Sequence, residues 1–418
     1  MDIISIIMLT AILGGFYLAW STGANDVANA IGPSVGSGAL TLNQAVGLAI
    51  VFEFIGAWFA GGSVTYTVTH GMIPFGLFED RTLELALGMT CGIVSSAVWL
   101  NVSTWMGWPI SMTHCVMGGL FGVLWVLDGL KGVNSEPFLW MGAAWIVTPL
   151  LAFTLSLFCF RALASVIYGA EEPVRRMVRL APHFSALITT AIAFGVFFQG
   201  EAAAIFTLNR NLAAMVCGLL GLLAYIVSRP IFSRLLTDES ERDLKSEFDV
   251  VDKALLILQI PTACFLAFAH GSNDIANAVG PVSAVFHLLT DGHESNFQMT
   301  KSILLVGAVG IVIGLVTFGA RVVATVGKQI TQLTAASSFV ATFCAGALVL
   351  CSTKMGVPVS TTHIVVGAIV GVGSARAVAS IDQKVIREIF LSWLVTVPIT
   401  ALLSGGAYLF VSEITLNG

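Results

Sequence analysis

Residues 23–38 read GANDVANAIGPSVGSG, and residues 271–285 read GSNDIANAVGPVSAV. Each places an Asn-Asp pair inside a long apolar stretch. A second pair of segments recurs in the same order: GWPISMTHCVMGG at 107–119 and GVPVSTTHIVVGA at 356–368. Asn25 and Asn273 stand 248 residues apart, Pro109 and Pro358 249 apart. Two motifs at almost one offset mean an internal duplication, with a half of about 160 residues. Any fold for this chain is therefore two copies of one unit.

The solvent of that unit follows from composition. The chain is 56% hydrophobic and only 10% charged, where a soluble domain carries about 25% charged residues. Many apolar runs approach 20 residues, the length that crosses a bilayer as a helix. The expected class is an all-α polytopic membrane protein. A net charge of −5 says little about partners, and the basic clusters that nucleic-acid binding needs are absent. Residues 3–20 are apolar, but no basic region precedes them and they run into the first motif, so they do not read as a cleavable signal. All seven cysteines fall in apolar segments without a CxxC, and read as packing residues rather than disulfides or metal ligands.

The first half (1–160) gives a segment at 3–38 broken at Gly23–Asn29, a helix at 44–62, a pair at 85–106 and 109–127 joined by Gly107-Trp108, and a helix at 138–160. The second half (254–418) repeats the set: 254–290 with a break at Gly271–Asn277, 302–320, 334–353, 358–375 and 389–411. The linker, 161–253, holds helices near 184–199 and 211–228 and a polar stretch at 229–253 that reads as a cytoplasmic loop. Placing 161–183, 229–253, 321–333 and 376–388 inside gathers 14 of the 19 Lys and Arg there, including Arg242, Arg321 and Lys328. This sorting needs each Pro-linked pair to return to the side it entered from. It puts both termini outside and makes the two repeats inverted. Inverted repeats with broken helices and Pro-linked hairpins point to a secondary transporter with its site near the bilayer midplane.

Asp26 and Asp274 lie within apolar spans, where a carboxylate costs roughly 3 kcal/mol unless it meets a cation or a wet cavity. With Asn25, Asn29, Asn273 and Asn277, and with backbone carbonyls of an unwound stretch, they make an all-oxygen cage suited to a hard cation such as Na⁺. Pro109 and Pro358 fit the first turn of a helix. Ser111, Thr113, Ser360, Thr361 and Thr362 then sit beside free N–H groups, an anion cradle able to surround a tetrahedral oxyanion. Glu53 is an acid deep in VFEFIG; its mate across the repeat is Ile311. His114 and His363 read as cross-helix hydrogen bonders that fix the hairpins. Lys354 either offsets anion charge or snorkels.

GANDVANAIGP, GSNDIANAVGP, PISMTH and PVSTTH resemble the signature of the inorganic phosphate transporter (PiT) family, and the likeness covers both halves. It implies a phosphate symporter built from inverted repeats, commonly a homodimer, driven by Na⁺ or H⁺. It implies phosphate binding by Ser111, Thr113, Ser360, Thr361 and Thr362, and cation binding by Asn25, Asp26, Asn29, Asn273, Asp274 and Asn277. Glu53 matches a family acid in the second helix and is a coupling candidate. The first hairpin departs by carrying Met112 where the second has Thr361. The expectation is a multi-pass plasma-membrane symporter importing phosphate with Na⁺ by alternating access, without a cofactor and not an enzyme. H⁺ coupling, a metal–phosphate complex or sulfate as cargo are the alternatives. A membrane phosphoryl-transfer enzyme using His114 or His363 is the other class.

Overall fold

The computed structural model describes residues 2–71, 73, 75–133, 135–198, 208–236, 244–290, 297–319, 322–323, 330, 332–376 and 382–415. Arg242, Arg321 and Lys328, three of the charges used to orient the chain, lie outside the described residues. Among the described residues there is no strand, and 11 helices are long and apolar enough to cross a membrane. A backbone in hydrocarbon must satisfy its own polar groups, and a helix does so within one segment.

The first half supplies α1 (Ile3–Asn25), α2 (Val27–Gly36), α3 (Leu42–Ala60), α4 (Gly62–Tyr66), α5 (Thr82–Met106), α6 (Met112–Asp128) and α7 (Ser135–Leu163). Next come α8 (Pro173–Phe198) and α9 (Arg210–Ser233). The second half supplies α10 (Leu244–Leu289), α11 (Phe297–Phe318), α12 (Ala335–Lys354), α13 (Thr361–Arg376) and α14 (Gln383–Thr415).

Three expectations are corrected. The break in the first span narrows to Asp26, between α1 and α2, and the second span has none: α10 runs as one helix through Gly271–Asn277. Gly, Asn and Asp weaken a helix in water; here each polar side chain finds tertiary partners, so the backbone need not open. The polar stretch 229–253 is helical at both ends, because α9 reaches Ser233 and α10 starts at Leu244. The start of α10 is held by the Tyr168 hydroxyl, which donates to Asp252, and by Tyr168 packing edge-on to Phe248 at 5.4 Å. The segment 161–183 is also largely helical, with α8 beginning at Pro173, where the missing N–H costs nothing.

The repeated hairpins close alike. Gly107 (φ 75°) and Gly356 (φ 68°) sit in the left-handed region that favours glycine. Trp108 N–H reaches back to Ser103 O and Val357 N–H to Ser352 O, each at 2.9 Å, which ends α5 and α12 in the same way. Pro109 and Pro358 stand before the next helix rather than in its first turn. α6 begins at Met112 and α13 at Thr361.

The repeats interlock. α3 packs along α10 and α11 along α1; α7 packs along α13 and α14 along α6. Glycines let the backbones approach. A Cβ on Gly56 would fall 2.1 Å from Phe268 O, and one on Gly314 would fall 1.9 Å from Trp20 O. Reciprocally, Gly271 lies against Glu53 O and Gly23 against Ile311 O. Glu53 and Ile311 therefore occupy equivalent places, one acid without a mate.

Candidate ion and anion site

The two repeated motifs meet where the halves cross, and all twelve residues singled out from the sequence are buried. Each first Asn pins its own hairpin. Asn25 Nδ2 donates to Thr104 Oγ1 (2.9 Å) and Trp108 O (3.0 Å). Asn273 Nδ2 donates to Thr353 Oγ1 (3.1 Å) and Val357 O (3.2 Å). Each second Asn reaches across to the other repeat: Asn29 Nδ2 to Thr362 Oγ1 at 2.8 Å, and Asn277 Nδ2 to Thr113 Oγ1 at 3.1 Å. Those threonines donate in turn to the opposite connection, Thr362 to Ile110 O (3.0 Å) and Thr113 to Val359 O (3.2 Å).

Ser111 and Ser360 cap the two short-connection helices, accepting from His114 N (3.3 Å) and His363 N (3.2 Å). Loss of such a cap costs about 1 kcal/mol. Ser111→Ala and Ser360→Ala are each expected to lower detergent thermal stability by about that amount, besides any effect on anion affinity. A variant that melts like wild type would show that its hydroxyl does not act as a cap.

The carboxylates lie between these caps. Asp26 Oδ2 accepts from Met112 N–H at 3.3 Å. Asp274 Oδ2 accepts from the Thr361 hydroxyl at 2.9 Å, the group that Met112 replaces in the first repeat. Asp274 Oδ2 also lies 2.9 Å from His270 Nε2, and Glu53 Oε2 lies 2.9 Å from His270 Nδ1. Asp26, Glu53, His270 and Asp274 are each 1% exposed, so neither water nor lipid solvates them. Five oxygens here have no hydrogen-bond partner: Oδ1 of Asn25, Asp26, Asn29 and Asp274, and Oε1 of Glu53. A buried polar atom left unpaired costs roughly 1–3 kcal/mol. Because α10 is unbroken, its backbone carbonyls at the second motif stay within the helix, and only side chains there could serve as ligands.

His114 and His363 do meet across the repeats, with ring centroids 4.6 Å apart, each against a tryptophan: Trp145 at 3.9 Å and Trp393 at 3.7 Å. His363 Nδ1 lies 3.2 Å from Trp145 O, and Trp393 Nε1 donates to Pro109 O at 3.1 Å. Lys354 turns to the end of α8, where Nζ donates to Phe198 O at 2.8 Å and lies 5.8 Å from the Phe194 ring centre.

Two buried polar residues of α10 carry no mark in the repeat comparison. His270 stands where the first repeat has Thr22, and Gln259, where it has Ala11, donates to Ser34 Oγ (2.7 Å) and Thr342 Oγ1 (3.0 Å). The available signal was a titratable side chain one residue before the second motif, inside an apolar span.

The model of the phosphate transporter family matches residues 22–404. A Haemophilus influenzae protein named as a phosphate permease is 37% identical over 405 residues, covering 95% of this chain and 96% of its own. The Arabidopsis thaliana protein "Inorganic phosphate transporter 2-1, chloroplastic" is 35% identical over 419 residues, covering 94% of this chain and 70% of its own. A solved structure described as "The sodium-dependent phosphate transporter" superposes with a TM-score of 0.88 at 31% identity, over 98% of this chain and 100% of that one. Family match and structural match both run through the interlocked halves and their buried cluster, and the chain belongs to the phosphate transporter family, a family of transporters rather than enzymes.

Proposed function

We propose that the chain imports inorganic phosphate together with Na⁺ by alternating access. The observation that carries this reading is the set of unpartnered carboxylate and amide oxygens beside two capped helix starts, contributed by both repeats. The name of the structural neighbour supports Na⁺ as the coupling ion. In this reading Asn25, Asp26, Asn29, Asn273, Asp274 and Asn277 serve the cation, Glu53 couples it, and Ser111, Thr113, Ser360, Thr361 and Thr362 take phosphate. The repeats 1–160 and 254–418 are inverted in the membrane, with 161–253 as the linker. The protein works as a homodimer in the plasma membrane with both termini outside.

Order of binding follows from charge. Two unit charges 4 Å apart repel by roughly 4 kcal/mol at an effective dielectric constant of 20. Phosphate therefore does not approach Asp26 and Asp274 until a cation has neutralised them. Thr113, Thr361 and Thr362 now donate to protein oxygens. Accepting phosphate exchanges these bonds for phosphate oxygens, which requires the two hairpins to separate slightly.

The test is radiolabelled phosphate uptake into proteoliposomes holding the purified protein. Uptake is expected with an inward Na⁺ gradient and not without it. Equimolar sulfate is expected to inhibit weakly, because phosphate carries an O–H donor that a carboxylate can accept and sulfate does not. A site built around such a donor rejects an analogue lacking it by up to about 10⁴-fold. Uptake indifferent to Na⁺ but driven by a pH gradient would overturn the coupling ion. Phosphate turnover without transport would remove the transporter reading.

A further inference from the structure

We infer that the connection between α7 and α8 binds one anionic phospholipid, its phosphodiester held by Arg176 and Arg179 and one acyl chain lying in an apolar slot against α12. The site shares no residue with the cluster where the halves cross, and it stands or falls without the transport reading.

Two cavities open on the same piece of chain. A π-helical turn, Ala164–Tyr168, follows α7, and residues 169–172 lead from it into α8. The segments on either side, Phe138–Tyr168 and Pro173–Phe198, are both long and apolar enough to cross a membrane. Their connection therefore stands at the headgroup level of one leaflet. Around it opens a polar cavity of about 320 Å³, lined by residues 170–172 and by Arg175, Arg176 and Arg179. Beside it an apolar slot of about 250 Å³ lies between the same two elements and α12. Val166 and Ile167 of the π turn, Leu180 and Phe184 of α8, and Phe339 and Phe343 of α12 are among its walls.

Helix geometry joins the two cavities. Arg176, Leu180 and Phe184 follow at i, i+4 and i+8 and share one face of α8, with Arg176 roughly 6 Å along the axis from Leu180. On the other side Ile167 lines the slot and Ala170, three residues on, lines the polar cavity. The slot opens to the surroundings, since Val166 is 47% exposed. A cationic mouth over an apolar slot suits an anion that carries a hydrocarbon chain, not a free anion. The charge has the required sign. Arg175 is paired with Glu172 at 3.0 Å, whereas Arg176 and Arg179 are exposed and form no ion pair among the described residues. Only Glu171 of the lining then opposes those two arginines. A guanidinium forks onto two phosphate oxygens, and basic pockets between membrane helices hold anionic headgroups. A zwitterionic lipid would bring its own cationic group against the same arginines. Phe184 packs edge-on to Phe339 at 5.4 Å, so an acyl chain in the slot lies against α12, the helix that leads into the second hairpin.

The test is native mass spectrometry of the full-length protein, released from micelles that hold equal phosphatidylglycerol and phosphatidylcholine with the same acyl chains. Wild type is expected to retain one phosphatidylglycerol per chain in preference to phosphatidylcholine. The double variant Arg176→Gln, Arg179→Gln is expected to bind phosphatidylglycerol about 30-fold more weakly, each arginine near a lipid headgroup being worth roughly five-fold. Val166→Trp narrows the slot, leaves the arginines in place, and is expected to lose the lipid as well. Arg387→Gln, at an exposed arginine of α14, leaves retention unchanged. If the double variant fails to give a monodisperse protein, Val166→Trp carries the test alone. Equal retention of the two lipids by wild type, or retention by either variant at the wild-type level, overturns the inference. Displacement of the lipid by equimolar glycerophosphoglycerol, the same headgroup without chains, overturns it too, because the site would then hold a free anion. A dimer that retains no lipid and that Val166→Trp splits into monomers would put a second copy of the chain in the slot, which also overturns it.

Discussion

Asp274→Asn is expected to lower Na⁺-driven phosphate uptake at least about a hundred-fold while the protein still reaches the membrane. Asp274 offers one oxygen to Thr361 and faces His270 with the same atom, while its other oxygen has no partner. The amide keeps the volume of the side chain, so packing survives. What disappears is the charge that, in the proposed function, holds the cation. Removing one member of a buried charge group costs about 3–5 kcal/mol, and 3 kcal/mol is already more than a hundred-fold in an equilibrium. Asp26→Asn is expected to act in the same direction, since its free oxygen lies in the same cluster. The measurement is uptake against Na⁺ concentration at matched membrane level. If either variant transports like wild type, the cation does not depend on that carboxylate, and the pocket is not the one the repeated motif encloses.

Gly271→Ala is expected to damage both stability and transport. Its Cβ would stand 2.3 Å from Glu53 O, a distance real Cβ atoms essentially never show, and the atom it meets is backbone. α3 and α10 would have to part by roughly an ångström, with an overpacking cost of about 1–3 kcal/mol or more. The same movement pulls Glu53 from His270, whose 2.9 Å contact depends on that spacing. Both a lower melting temperature in detergent and a loss of uptake should follow. Gly142→Ala in α7 is the contrast: nothing lies within 4 Å of its Cβ, and the helix gains up to about 1 kcal/mol of propensity. A Gly271→Ala protein that melts with wild type would mean that the two backbones do not touch as described.

How much of this was legible in the sequence depends on what kind of residue carried it. The helices follow from apolar runs, because hydrocarbon leaves the backbone few choices. Eleven of the twelve candidate site residues follow from duplication, because repeated polar phrases in apolar surroundings have little else to mean. What the phrase could not show was backbone state. Gly271, Asn273 and Asp274 look like helix breakers, yet Asn273 bonds Thr353 and Val357, Asp274 accepts from Thr361, and the helix continues. Pro358 looked like a first helical residue, whereas Ser360 takes the capping position two residues later. His270 was hidden for the opposite reason. Comparing repeats highlights what they share, and His270 and Glu53 are the residues they do not share; only the packing of Gly271 on Glu53 brings them together.

The interlocking of the halves also dictates a history for every molecule made. Glu53 and His270 are bonded across 217 residues of sequence. At a synthesis rate of about 5–20 residues per second, the acid waits roughly 10–40 s for its imidazole to be made. Through that interval α3 has no α10 to lie against, and its carboxyl sits in the bilayer or in the insertion machinery without its partner. A ribosome that stalls between the halves leaves a fragment whose first and third helices both lack their main partners, which gives a quality-control protease in the membrane a clear mark of unfinished work.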